Sequence, residues 1–160
     1  MTAQPTRIDY ASVFPVGVRA MVGLQRAIDG AGLEPLLLEL VKMRASQING
    51  CAYCLDMHWK DLRALGETEQ RLYSLDAWRE CPYYTDRERA ALAWTEAVTL
   101  ITDGHVPDAV YDEARTQFGE KELADLTFAV ATINAWNRLA IAARVEPGTY
   151  QPAMAASQQP

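Results

Sequence analysis

Helix-stopping residues divide this chain into segments of about twelve to eighteen residues, the ordinary length of a globular helix. No stretch between them alternates apolar and polar residues with paired turn signals, as a strand would. The segment from Phe14 to Asp29 carries Val18, Met21, Val22 and Ile28 and stops at Gly30. Pro35 suits the first turn of a second helix that runs to Asn49, where Gly50 accepts the positive φ of a helix stop. A third runs from Cys51 to about Leu65, ending at Gly66, and Thr68 caps a fourth that Pro82 blocks beyond Glu80. Thr85-Asp86-Arg87-Glu88 forms a capping box for a fifth helix ending near Gly104, and Pro107 opens a sixth closed by Gly119. The seventh spans about Glu120 to Arg144. It has one apolar stripe through Leu123, Leu126, Val130 and Ile133 and another through Phe128, Trp136 and Leu139. A helix with two apolar faces is central to a bundle or meets another subunit. The expectation is an all-α, single-domain bundle of about seven helices over residues 1–146. Residues 147–160, with Pro147, Gly148 and Pro152, are expected to form an extended or disordered tail.

Length and composition agree with one core. At 160 residues, 49% of them hydrophobic and 22% charged, the chain has the size and apolar content of a single folded domain. A formal net charge of -6 argues against the basic face that phosphate backbones require, so nucleic acid is excluded as a partner. Apolar runs such as Leu36-Leu37-Leu38 are cut by Glu39, which excludes a membrane span. The first ten residues show no export signal, and three cysteines do not make a secreted disulfide framework, so a reducing cytoplasm is the expected location.

Chemistry concentrates in Asn49-Gly50-Cys51-Ala52-Tyr53-Cys54-Leu55-Asp56-Met57-His58. Steps of three and four place Cys51, Cys54 and His58 along one helix face, just after the break at Gly50. In the first turn of a helix, unpaired N–H groups and the positive dipole end favour thiolate. Two sulfurs and an imidazole are the parts of a dithiol redox cycle. Other readings stand beside this one. Zinc would have only the distant His105 and Cys81 to complete four ligands, and covalent haem needs histidine where Leu55 stands. Two cysteines packed as small apolar groups would leave His58 unexplained. A thioredoxin fold would need a strand before the pair, where a helix is expected. Glu39 would act as a base near neutral pH if burial raised its pKa; otherwise it pairs Lys42 on a solvated helix face. Cys81 and the four tryptophans are expected to be structural, and His105 to lie in a loop.

Glu39 stands twelve residues before Cys51, and His58 four after Cys54. This pattern resembles the AhpD-like alkylhydroperoxidase core of the carboxymuconolactone decarboxylase superfamily. The likeness extends to Gly66–Leu72, Arg87–Leu100 and Ile133–Leu139. It implies an all-helical subunit, assembled as a homotrimer or homohexamer, that reduces a peroxide substrate without a cofactor and is recycled by an external thiol or dithiol of lipoyl or protein type. Carried onto this sequence, Cys54 is the peroxidatic sulfur, Cys51 closes the disulfide and meets the reductant, and Glu39 with His58 forms the proton relay. Better-characterised members have a second histidine before the second cysteine; here that position is Tyr53, to which no relay role carries over. A protein dithiol/disulfide oxidoreductase and a decarboxylase-like enzyme are the alternatives, the latter having no need of a cysteine pair.

Overall fold

The computed structural model describes residues 5–152, and among these it holds nine helices and no strand. They are α1 (Tyr10–Val13), α2 (Pro15–Asp29), α3 (Pro35–Asn49), α4 (Ala52–Ala64), α5 (Glu69–Tyr73), a 3-10 segment (Leu75–Glu80), α6 (Asp86–Thr99), α7 (Asp108–Gln117) and α8 (Glu120–Ala143). The all-α fold is as expected; the count is nine rather than seven for two local reasons. Asp9 caps the short α1 by accepting from the amides of Ala11 and Ser12. The expected fourth helix is two, because the chain leaves α5 at Ser74 and continues as a 3-10 turn with a non-helical Ala77. The fifth also ends earlier than expected, at Thr99, and residues 100–104 form turns.

Local signals set the other boundaries. Pro15 and Pro35 occupy the first turns of α2 and α3, where a missing N–H costs no helical bond. The Thr85–Glu88 capping box is formed, satisfying two otherwise orphaned amides at the start of α6. Gly50 ends α3 at φ 68°, a left-handed conformation that is strained for residues with a Cβ.

Helix α3 is enclosed along nearly its whole length. One of its faces, with Leu37, Leu38 and Val41, joins a core of Ile28, Ala91, Trp94, Phe118, Leu126 and Val130. Its other face, with Leu40 and Met43, joins a second cluster of Leu62, Leu72, Leu75, Trp78 and Leu92. The two stripes of α8 part company. Leu123, Leu126, Val130 and Ile133 are buried, whereas Phe128 is 58% exposed and Trp136 and Leu139 border a cavity.

A polar network ties the end of α3 to α8 immediately before the cysteines. Asn49 Nδ2 donates to Asn134 Oδ1 at 3.0 Å and to Asn137 Oδ1 at 2.9 Å. Asn137 donates onward to Ser46 Oγ at 3.0 Å, and Asn134 to Thr99 Oγ1 at 2.9 Å. Buried amides satisfied in this way fix one arrangement, since each alternative would strand a polar group. The network anchors the Gly50 turn, and through it the start of α4.

After α8 the chain runs back over α4. Gly148 N donates to Asp56 Oδ2 at 3.0 Å, Lys60 Nζ donates to the Tyr150 carbonyl at 3.0 Å, and Tyr150 Oη donates to Asp61 Oδ1 at 2.7 Å. Gly148 and Tyr150 thus pin this segment over α4; the remainder of the expected tail, 153–160, lies outside the described residues. Among the described residues no helix is long and apolar enough to cross a membrane.

Candidate functional site

The Gly50 turn places Cys51 at the N-cap of α4, with extended backbone and a sulfur that accepts from the Cys54 amide at 3.4 Å. Cys54 follows in the first turn, and the two sulfurs lie at disulfide distance with Cα atoms 5.3 Å apart. Both residues are buried, Cys51 at 1% and Cys54 at 2% exposure. One turn further on, His58 is also buried and points its Nδ1 toward α3, where it meets Glu39 Oε2 at 2.7 Å. The four residues expected at the site are therefore brought together by the α3–turn–α4 unit.

Glu39 does not have the character of a base near neutrality. Burial pushes its carboxyl up, but the hydrogen bond and charge of His58, joined by the Lys42 ammonium at 2.8 Å, outweigh it and lower the pKa from 4.5 to about 2. The expected i to i+3 partner is present, yet the pair is not on a solvated face: Lys42 is only 6% exposed and also reaches Asp29 Oδ1 at 3.1 Å. Burial pulls the Lys42 ammonium down, and Glu39 followed by Asp29 more than compensates, leaving its pKa raised.

An ionised carboxylate accepts hydrogen bonds and cannot donate them, so Nδ1 of His58 carries the hydrogen. In the neutral ring the lone pair then belongs to Nε2, which is buried and has no hydrogen-bond partner among the described residues. Glu39 is thus a fixed anion that sets the imidazole's tautomer and orientation. The sign of its contribution to stability follows. With the folded pKa below the ordinary value, stabilisation is complete above about pH 4.5 and is lost as pH falls toward 2. Chemical denaturation between pH 6 and pH 2.5 is expected to show a progressive fall, and Glu39→Gln a shallower one.

His58, Cys54, Glu39 and Lys42 line one side of a cavity of about 690 Å³. Its other walls are mainly apolar, built by Ile8, by Val18 and Val22 of α2 and by Ile133, Trp136 and Leu139 of α8. Tyr53 also borders it, so the residue in the place of the family's second histidine faces the cavity beside Cys54.

Two residues went unnoticed in the sequence. Asp61, one turn beyond His58, presents a carboxylate oxygen within 4.8 Å of donor atoms of Glu39 and His58; burial raises its pKa. The i to i+3 step from His58 was a legible signal for it. Tyr150, which covers Asp61, had none, because it arrives from 89 positions away. Glu39, His58 and Asp61 are spaced as metal donors; Nδ1 of His58 is engaged by Glu39 and the second Glu39 oxygen by Lys42, which leaves Nε2 of His58 and the Asp61 carboxylate as the donors outside that pairing. Cys81 is a free, half-buried thiol bordering the second core cluster and facing the Ala77 carbonyl at 3.4 Å, and His105 is an exposed loop residue.

Residues 15–97 match the model of the carboxymuconolactone decarboxylase family. The chain belongs to that family. The uncharacterised protein YdfG of Bacillus subtilis (strain 168) is 42% identical over 136 residues, spanning 85% of this chain and 92% of YdfG. A protein of unknown function from Agrobacterium tumefaciens, suggested to be an AhpD antioxidant defence protein, superposes with a TM-score of 0.88 at 40% identity, over 91% of this chain and all of that one. This carboxymuconolactone decarboxylase family member is thus AhpD-like in fold. The debrominase Bmp8, 21% identical with a TM-score of 0.70 over 84% of this chain and 73% of its own, shares the fold.

Proposed function

We propose that the protein is a thiol-dependent peroxidase acting on organic hydroperoxides, with Cys54 as the attacking sulfur. The observation that carries this reading is the Cys51–Cys54 pair at disulfide distance, with Cys54 and the oriented imidazole of His58 bordering one cavity. In the reduced state His58 Nε2 takes the Cys54 proton, and the thiolate attacks the terminal oxygen of the hydroperoxide. The O–O bond breaks, the leaving alkoxide recovers the proton from His58 as an alcohol, and Cys54 becomes a sulfenic acid. Cys51 attacks that sulfur and displaces water, forming the disulfide, and an external dithiol returns both sulfurs to thiols. Neither a metal nor a cofactor is required for this sequence.

The mainly apolar walls of the cavity support an organic hydroperoxide over hydrogen peroxide. The burial of both sulfurs weighs against a folded protein as the thiol substrate, and so against the dithiol/disulfide oxidoreductase alternative. Exposed Val13, Phe14 and Val16 on the N-terminal helices and Phe128 on α8 support a homo-oligomer. With a dihydrolipoyl-type dithiol, an aromatic or long-chain hydroperoxide is expected to be consumed at least about tenfold more efficiently than hydrogen peroxide, the discrimination that a few apolar contacts supply. Equal efficiency, or no consumption of either, would overturn the proposal.

A further inference from the structure

Reduction of the Cys51–Cys54 disulfide requires a thiol to reach one of two buried sulfurs, and the two are not equivalent. Cys54 lines the 690 Å³ cavity, whereas Cys51 does not. Cys51 instead sits at the N-cap of α4, where its sulfur accepts the Cys54 amide hydrogen at 3.4 Å. In thiol–disulfide exchange the sulfur better stabilised as thiolate leaves faster, and a helix N-terminus stabilises thiolate. Accessibility and leaving-group stability therefore favour the same direction of cleavage.

We infer that the reductant attacks Cys54 and expels Cys51, so that peroxide and reductant use one cavity and exclude one another from it. This rests on the dithiol cycle proposed above and reverses the assignment of Cys51 as the sulfur that meets the reductant. An incoming thiol gives its proton to Nε2 of His58, a residue that lines the same cavity and whose Nε2 has no hydrogen-bond partner among the described residues. The resulting thiolate bonds to Cys54 Sγ, the Cys51–Cys54 bond breaks, and its electron pair remains on Cys51 as thiolate. The second thiol of the reductant then attacks the reductant's own sulfur in the mixed disulfide. That closes a cyclic disulfide on the reductant and releases Cys54 as thiolate. Cys54 takes up the proton held on His58, and Cys51 is protonated from solvent with the proton of the second thiol. The dithiol is oxidised by two electrons and the protein disulfide reduced by two.

A trap without peroxide tests the assignment. The oxidised wild-type protein is mixed with 2-mercaptoethanol, quenched in acid, alkylated with a maleimide and mapped by mass spectrometry, with Cys81 alkylated throughout as an internal control. The expected result is mercaptoethanol on Cys54 and maleimide on Cys51, in at least about tenfold excess over the reverse pattern. Adducts mainly on Cys51, an even distribution, or no adduct would overturn the inference. A second arm fills the cavity with Val22→Trp, remote from the reacting atoms. Both half-reactions, followed separately by stopped flow, are expected to slow by similar factors; slowing of one alone, or of neither, would contradict a shared entrance. Failure of the peroxidase reading would appear instead as absent hydroperoxide consumption, which the trap does not measure.

Discussion

Replacing Cys54 with serine is expected to remove hydroperoxide turnover almost entirely, by a factor of about a thousand or more, the scale seen when a catalytic nucleophile is deleted. A hydroxyl in the same place is not ionised by an imidazole in its ground state and attacks an O–O bond poorly. The protein should remain folded, because Cys54 is a small buried side chain whose replacement leaves the Gly50 turn and the Asn49–Asn134–Asn137 network in place. Cys51→Ser separates the two sulfurs' roles. It is expected to permit one rapid turnover per chain, ending in a sulfenic acid at Cys54 that a dimedone adduct reveals by mass, and then to stall. Full steady-state activity in either variant would contradict the assignments.

Glu39→Gln is expected to act on catalysis and on stability together. Without the carboxylate, His58 loses the acceptor that fixes the hydrogen on Nδ1 at 2.7 Å. A neutral amide also tolerates the opposite tautomer. Loss of an oriented proton acceptor typically costs about 10²- to 10⁴-fold in rate, and the lower part of that range is expected because His58 itself remains. On the stability side, Lys42 keeps Asp29, half of whose side chain is exposed, and loses the partner that shares its burial. Removing one member of a buried pair costs about 3 kcal/mol. For a chain of this size that lowers the melting temperature by about 10 °C. Unchanged melting with lowered turnover would show that Lys42 finds compensation elsewhere. Unchanged turnover would remove Glu39 from the mechanism.

Much of the site could be read from the sequence because its parts lie close together in it. The Asn49-Gly50 stop, the place of the cysteines at the start of the next helix and the spacing to His58 are all local, and α3 and α4 form where Pro35, Gly50 and Gly66 place them, with Cys51 one residue before the first turn, at the N-cap. The capping box at Thr85 is equally local, and its hydrogen bonds are formed. What escaped depends on distant partners. The direction of the Glu39 shift turned on whether Lys42 would be buried with it, which is decided by Asp29 at the end of α2 and by the packing of α3 rather than by the i to i+3 step alone. The break in the expected fourth helix at Ser74–Ala77 accompanies Leu75 and Trp78 turning into the second core cluster, a tertiary demand that overrides a plausible helical stretch. Tyr150 became part of the site only because the chain after α8 returns along α4, where Asp56, Lys60 and Asp61 hold it. The second stripe of α8 was visible as a pattern, but its division into cavity wall and exposed Phe128 was not.

The most direct test of the account is a count of thiols. Fully reduced protein, which has three cysteines per chain, is treated anaerobically with one equivalent of cumene hydroperoxide and its remaining thiols are titrated under denaturing conditions. The expected result is the loss of two thiols per chain, at Cys51 and Cys54, with one equivalent of alcohol formed and Cys81 untouched. Retention of all three thiols, or a loss confined to Cys81, would contradict it.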